Sequence, residues 1–374
     1  MTVLSRSVTM VGAVSAGWGL AAATGFHDAA ASDAYGFLIT ALLGFGLYTS
    51  TRGIDIDEFR AHLRTVLIAV TLGVAAKVAL IFAVLYAVGH DVKALLLAVA
   101  VAQIDPLSVA AMRAKSRMSE QGKALLAAWA SFDDPVTVLL TAYLGAALLG
   151  PDFGAGTGGA GGFALSVAGN LALAAAVCWT WRRIGDRPRG AVGKAVVAAA
   201  VLVVAFLAVR YSLMLALALI GLVVRPDVGD ALDRLAGAAL HLGLGAIGAV
   251  LVTGIPVGTG VVLGLAAFAA QFAVAYAVTA HRHWRRDRLR LALGQQNGLT
   301  AVILALLLEP AYPGAAATVA VAVVVVNLLH LSTNAAHDHL TRGRPEPEAE
   351  AGAGAEAEVA RRDRRVPATP ALES

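Results

Sequence analysis

VAVAQIDPLSVAAM at 99–112 and LLAAWASFDDPVTVLL at 125–140 decide how this chain is read. Both are apolar runs, and each carries carboxylates directly followed by proline: Asp105 before Pro106, and Asp133 and Asp134 before Pro135. An ionisable group within a bilayer is costly, so it marks function by default. Proline removes a backbone donor and clashes with the preceding turn, so each stretch predicts a kinked or broken helix beside its carboxylate. Asp105 lies about twelve residues into its run and Asp134 about ten into the next. Neighbouring spans run in opposite senses, so both carboxylates arrive near mid-membrane.

The composition agrees with lipid surroundings. Of 374 residues, 58% are hydrophobic and 14% are charged, against about 25% charged in a soluble domain. A soluble domain could not hide so much apolar surface. The net charge of +4 points to no nucleic-acid partner, because Lys and Arg sit in short segments between apolar runs, as topology signals do. The single cysteine, Cys178, cannot form an internal disulfide.

Twelve runs approach the roughly 20 residues that cross hydrocarbon: 8–24, 34–51, 63–89, 93–112, 124–150, 163–181, 192–209, 211–224, 232–255, 257–280, 289–308 and 313–333. With the N-terminus in the cytoplasm, 26 of the 29 Lys and Arg fall inside, leaving Lys93 and Arg210 outside and Lys77 within a span. The positive-inside rule therefore supports this count and a multi-pass cell (inner) membrane protein with both termini cytoplasmic. Residues 1–24 also read as a signal peptide; near-spanning length favours a retained helix. The transmembrane part is expected over 1–340. GAGTGGAGG at 154–162 reads as a flexible connector, and 341–374, rich in Glu, Ala, Pro and Arg, as a disordered cytoplasmic tail.

A weak internal repeat surrounds the carboxylates. Lys77, Asp105 and Asp134 are spaced by 28 and 29 residues, and Gln271, Asn297 and Asn327 by 26 and 30. The two sets begin seven spans apart, so they enter the membrane from opposite sides, as inverted-topology repeats do. GQQNG at 294–298 is the second polar break. Gln103 and Gln296 flank the breaks, and Ser131 and Thr137 share the helical face of Asp134 as neutral oxygen ligands. Buried structural caps are the bland alternative for one aspartate; three, two of them before proline, favour a working site.

These residues resemble the monovalent cation:proton antiporter superfamily. The likeness runs from about 40 to 333 and is carried by LLGFGLYTSTRGIDIDEFRAHLR at 42–64, QIDPLSV at 103–109, WASFDDPVTVLL at 129–140, LALALIGLVV at 215–224 and GQQNGLTAVILALLL at 294–308. The resemblance implies an all-α fold with inverted repeats, two crossed discontinuous helices and a moving core, here 63–150 and 257–333. It also implies a homodimer, no cofactor, and transport of Na+ (or Li+ or K+) and H+ rather than enzymatic catalysis. By it, Asp134 carries the ion and proton, Asp133 is its partner and Asp105 balances dipoles at the crossover. Two family cations are absent: the tenth-helix position is Gln271, and the second break has Asn297. Lys77 is the candidate replacement, or else it snorkels to an interface.

Desolvation disfavours the charged form of a buried carboxylate and a bound cation restores it, so proton and cation compete for one site. A sodium-coupled organic-solute symporter is the rival reading, because GQQNGL resembles a segment of such carriers. An intramembrane aspartyl protease lacks its sequence motifs, and a non-transporting sensor rests only on the tail and the missing cation. A reporter fused after residue 340 is expected to read cytoplasmic; a periplasmic signal would invert the topology.

Overall fold

The computed structural model describes residues 3–24, 32–54, 63–106, 108–109, 116–150, 153, 159–184, 191–211, 213–225 and 231–341. The tail expected at 341–374 lies outside them apart from Thr341. Among the described residues there are helices and no strands. In chain order the helices are α1 (Val3–Thr24), α2 (Asp33–Arg52), α3 (Leu63–Ile68), α4 (Val74–Gly89), α5 (Ala94–Val101), α6 (Glu120–Leu149) and α7 (Gly159–Ile184). They continue as α8 (Ala191–Arg210), α9 (Met214–Val223), α10 (Ala231–Val250), α11 (Val257–Val278), α12 (Arg288–Ala292), α13 (Leu299–Leu308) and α14 (Ala315–Leu340).

Among the described residues, helix covers at least part of each apolar run. Six stretches among the described residues are long and apolar enough to cross a membrane by length and composition: Ala34–Arg52, Leu63–Gly89, Glu120–Leu149, Ala164–Arg183, Val257–Val278 and Ala315–Leu340. This is a multi-pass membrane protein. α3 and α4 form one rod joined through a π-helical turn, Ala69–Gly73, a local widening of the helix of the kind that recurs at functional sites. The glycine-rich stretch at 154–162 is not wholly a connector, since its last four residues already belong to α7.

α1 lies along α10, α2 along α9, α4 along α11 and α11 along α14. α5 and α13 sit among these rods, each short and nearly wholly buried. The α1–α10 contact depends on two glycines. A Cβ at Gly17 would run into the Gly245 carbonyl, and one at Gly248 into the Val14 carbonyl. Small residues let helix backbones approach closely in lipid, where dispersion replaces the hydrophobic drive. Overpacking there costs about 1–3 kcal/mol, so Gly248→Val is expected to lower the melting temperature of the detergent-solubilised protein while Gly12→Ala, at a glycine with open space around it, leaves it unchanged.

Candidate ion-binding site

α5 stops at Val101, and the chain leaves the helix from Ala102 to Asp105 before winding again at Pro106. Asp105 caps the new start. Its Oδ2 accepts from the Ser108 amide at 2.9 Å and from the Ser108 hydroxyl at 2.5 Å, and its carbonyl accepts from the Val109 amide at 3.1 Å. Aspartate as N-cap followed by proline is a preferred way to begin a helix, because the carboxylate satisfies an orphan amide and proline needs no acceptor.

The second break lies against the first. α12 ends at Ala292, and 293–298 carry the chain to α13. The Asp105 amide donates to the Gln296 carbonyl at 2.8 Å. Gln295 Nε2 donates to the carbonyls of Val101 and Gln103 at 3.1 and 2.9 Å, and Asn297 Nδ2 donates to the same two carbonyls at 3.0 Å each. Carbonyls orphaned where α5 ends are thus satisfied by side chains of the opposite break. From α14, Asn327 Nδ2 donates to the Asn297 carbonyl at 2.9 Å, and Asn327 Oδ1 accepts from the Asn297 amide at 3.2 Å. Gly298 makes the approach possible, since a Cβ there would stand 2.5 and 2.6 Å from the Asp105 carboxylate oxygens.

α6 passes this junction unbroken from Glu120 to Leu149, despite Pro135. The helix survives the loss of one backbone donor at Pro135. Adjacent residues on a helix point about 100° apart, and this separates the two aspartates. Asp133 turns to α4, where its Oδ2 meets Lys77 Nζ at 2.7 Å with both side chains at 0% exposure. The ammonium also lies 5.4 Å from the Trp129 ring centroid, an attractive arrangement for a desolvated cation. Lys77 therefore does not snorkel to an interface. Asp134 turns to the breaks. Its Oδ2 accepts from the Thr300 hydroxyl at 3.0 Å. With the Gln103 amide oriented to satisfy both its ends, Gln103 donates to Asp134 Oδ1 at 2.8 Å and to Thr137 Oγ1 at 2.7 Å, and accepts from the Ala301 amide at 2.6 Å. Thr137 in turn donates to the Asp134 carbonyl at 3.0 Å.

A small cavity of about 10 Å³ separates Asp134 and Asp105 from α2; Thr300, Phe45, Thr49 and Ser50 also line it. That is space for roughly one water-sized particle. The anticipated residues do not all meet. Asp105, Asp134, Gln103, Thr137, Asn297 and Asn327 meet at the breaks, and Lys77 with Asp133 forms a separate pair beside them. Gln271, at 0% exposure, donates to the Leu291 carbonyl at 3.3 Å and supports the end of α12. Ser131 is buried but gives Asp134 no hydrogen bond, and Gln296 contributes its carbonyl to the junction. The sequence missed Gln295, which is indistinguishable from its neighbour in GQQNG, and Thr300, Thr49 and Ser50, which are ordinary hydroxyls in apolar runs.

No family model matches the chain, and no curated protein is similar to it. Among solved structures it matches a sodium proton antiporter from Methanocaldococcus jannaschii at pH 8, with 17% identity and a TM-score of 0.56, over 88% of this chain and 96% of that one. This chain has the fold of a sodium proton antiporter. At such an identity the likeness is one of architecture, and it places the helix breaks of this chain in a fold that spans nearly the whole length of its counterpart.

Within this antiporter fold the Asp105 carboxylate does two things, capping a helix and facing the cavity, and two substitutions separate them. Asparagine caps as well as aspartate does, whereas alanine costs about 1 kcal/mol at an N-cap. Asp105→Asn is expected to keep the wild-type melting temperature and Asp105→Ala to lower it; equal losses would assign the stability to the charge instead.

Proposed function

We propose that the chain is a secondary active transporter that exchanges a monovalent cation, Na+ first among them, for protons by alternating access. The observation that carries this reading is the division of labour between adjacent aspartates. Lys77 neutralises Asp133, while among the described residues the Asp134 carboxylate accepts from the neutral donors Thr300 and Gln103, at the edge of a one-particle cavity. A carboxylate so placed is stabilised either by a proton or by a cation, and holding one excludes the other. Hard monovalent cations take carboxylate and hydroxyl oxygens, which Asp134, Asp105 and Thr300 supply.

In this reading the chain spans the cell membrane twelve times with both termini cytoplasmic. The segments 63–150 and 257–333 are inverted repeats whose discontinuous helices cross at the breaks. Together they form the core that moves against the remaining helices, and those helices hold a homodimer. The polar ties between the two breaks keep them together as one body during that motion, so the site changes its exposure without being dismantled. The pseudo-symmetric place of Lys77 is Gln271, across the packed pair α4 and α11. The cation that partners the first aspartate therefore comes from the first repeat.

Reconstituted protein is expected to drive proton flux when a Na+ gradient is applied, read as internal pH of liposomes. Asp134→Asn is expected to reduce it to the level of empty liposomes while the protein elutes and melts as wild type; retained flux would sink the assignment, and flux that needs an added organic solute would favour a symporter. Lys77→Gln leaves a buried carboxylate unpaired, which costs about 3–5 kcal/mol. It is expected to destabilise the protein and shift its pH profile, whereas Lys77→Gln with Asp133→Asn recovers stability. A single variant with wild-type melting and pH dependence would make the pair incidental.

A further inference from the structure

α2 carries four serine and threonine hydroxyls, and three of them are satisfied by the helix itself. Thr40 donates to the Gly36 carbonyl at 2.7 Å, Thr49 to the Phe45 and Gly46 carbonyls at 3.0 and 2.9 Å, and Thr51 to the Leu47 carbonyl at 3.0 Å. This back-bonding is what a hydroxyl in an apolar helix ordinarily does. Ser50 is different. It is 6% exposed, its Oγ has no hydrogen-bond partner among the described residues, and the carbonyl one turn before it, Gly46, is already taken by Thr49. Ser50 also lines the small cavity that Asp134, Asp105 and Thr300 share.

A buried hydroxyl left without a partner costs about 1–3 kcal/mol, so a partner outside the protein is implied. Water could be that partner, but water-sized space bounded by two carboxylates favours a cation, which compensates the charge as well as the hydroxyl. We infer that Ser50 Oγ is a direct neutral ligand of the transported cation, completing from α2 an oxygen cage whose other members, Asp134, Asp105 and Thr300, come from the segments around the breaks. The inference rests on the proposed exchange activity and adds to it a specificity-determining residue. It also places the cation at the seam between the core segments and α2, so that movement of one against the other takes Ser50 away from the ion and weakens its hold.

The test is cation-dependent thermal stabilisation of the purified full chain, together with proton flux in liposomes, for Na+, Li+ and K+ in turn. Ser50→Ala is expected to raise the KM for Na+ about tenfold, the scale of one lost polar contact, and to weaken Na+ stabilisation in parallel. It should also alter the order of preference among the three ions, with the melting temperature in ion-free buffer unchanged or higher. Ser50→Thr, which keeps the hydroxyl, should restore the preference. An unchanged KM and unchanged ion order in Ser50→Ala, with wild-type exchange intact, overturns the ligand role alone. A wild-type protein that neither exchanges nor is stabilised by any of the three ions overturns the exchange reading and the ligand role together.

Discussion

The structure depends on the satisfaction of backbone groups where two helices are interrupted inside an apolar interior. A break in α5 leaves carbonyls at Val101 and Gln103 and amides beyond Pro106 without intrahelical partners, and lipid offers none. The answer is reciprocal: Gln295 and Asn297 from the facing break take the carbonyls, and Asp105 takes the amide and hydroxyl of Ser108. Asn327 then ties the second break to α14. Because each break supplies what the other lacks, neither persists alone, and the two behave as one structural unit.

That unit explains the placement of charge. Asp105 is held at the break by local capping, and the absence of a Cβ at Gly298 lets its carboxylate lie over the opposite strand of chain. α6 runs past without a break, and its 100° step sends Asp133 to Lys77 and Asp134 to Thr300 and Gln103. The ion pair makes the first aspartate electrically quiet. The second is left with the neutral donors Thr300 and Gln103, and the proposed exchange rests on that difference.

The helices outside this junction form closely packed walls. α1 and α10 touch backbone to backbone through glycine. α2 presents Phe45, Thr49 and Ser50 to the cavity, and it packs closely on α9 both through Gly44 against the Met214 and Leu217 side chains and through Gly221 against the Tyr48 carbonyl. The fold thus combines a tightly bonded polar centre with an apolar surround, and the cavity lies where the two meet.

The sequence by itself determined the helical class, the membrane setting and the residues at the breaks. Carboxylates and GQQNG in apolar runs mark these positions, because each unsatisfied polar group in lipid carries a local cost that can be read one helix at a time. It also marked Lys77 as the unusual cation. Only the tertiary structure decided which partner each group took. Lys77 chose Asp133 over an interface, Gln271 went to a helix end, Gln295 supplied the side chain expected of Gln296, Pro135 left α6 whole, and Ser50 came to face the carboxylates. All of these depend on contacts between residues tens to hundreds of positions apart, set by how the helices rotate and how closely they approach. The pattern along one helix carries no record of those quantities.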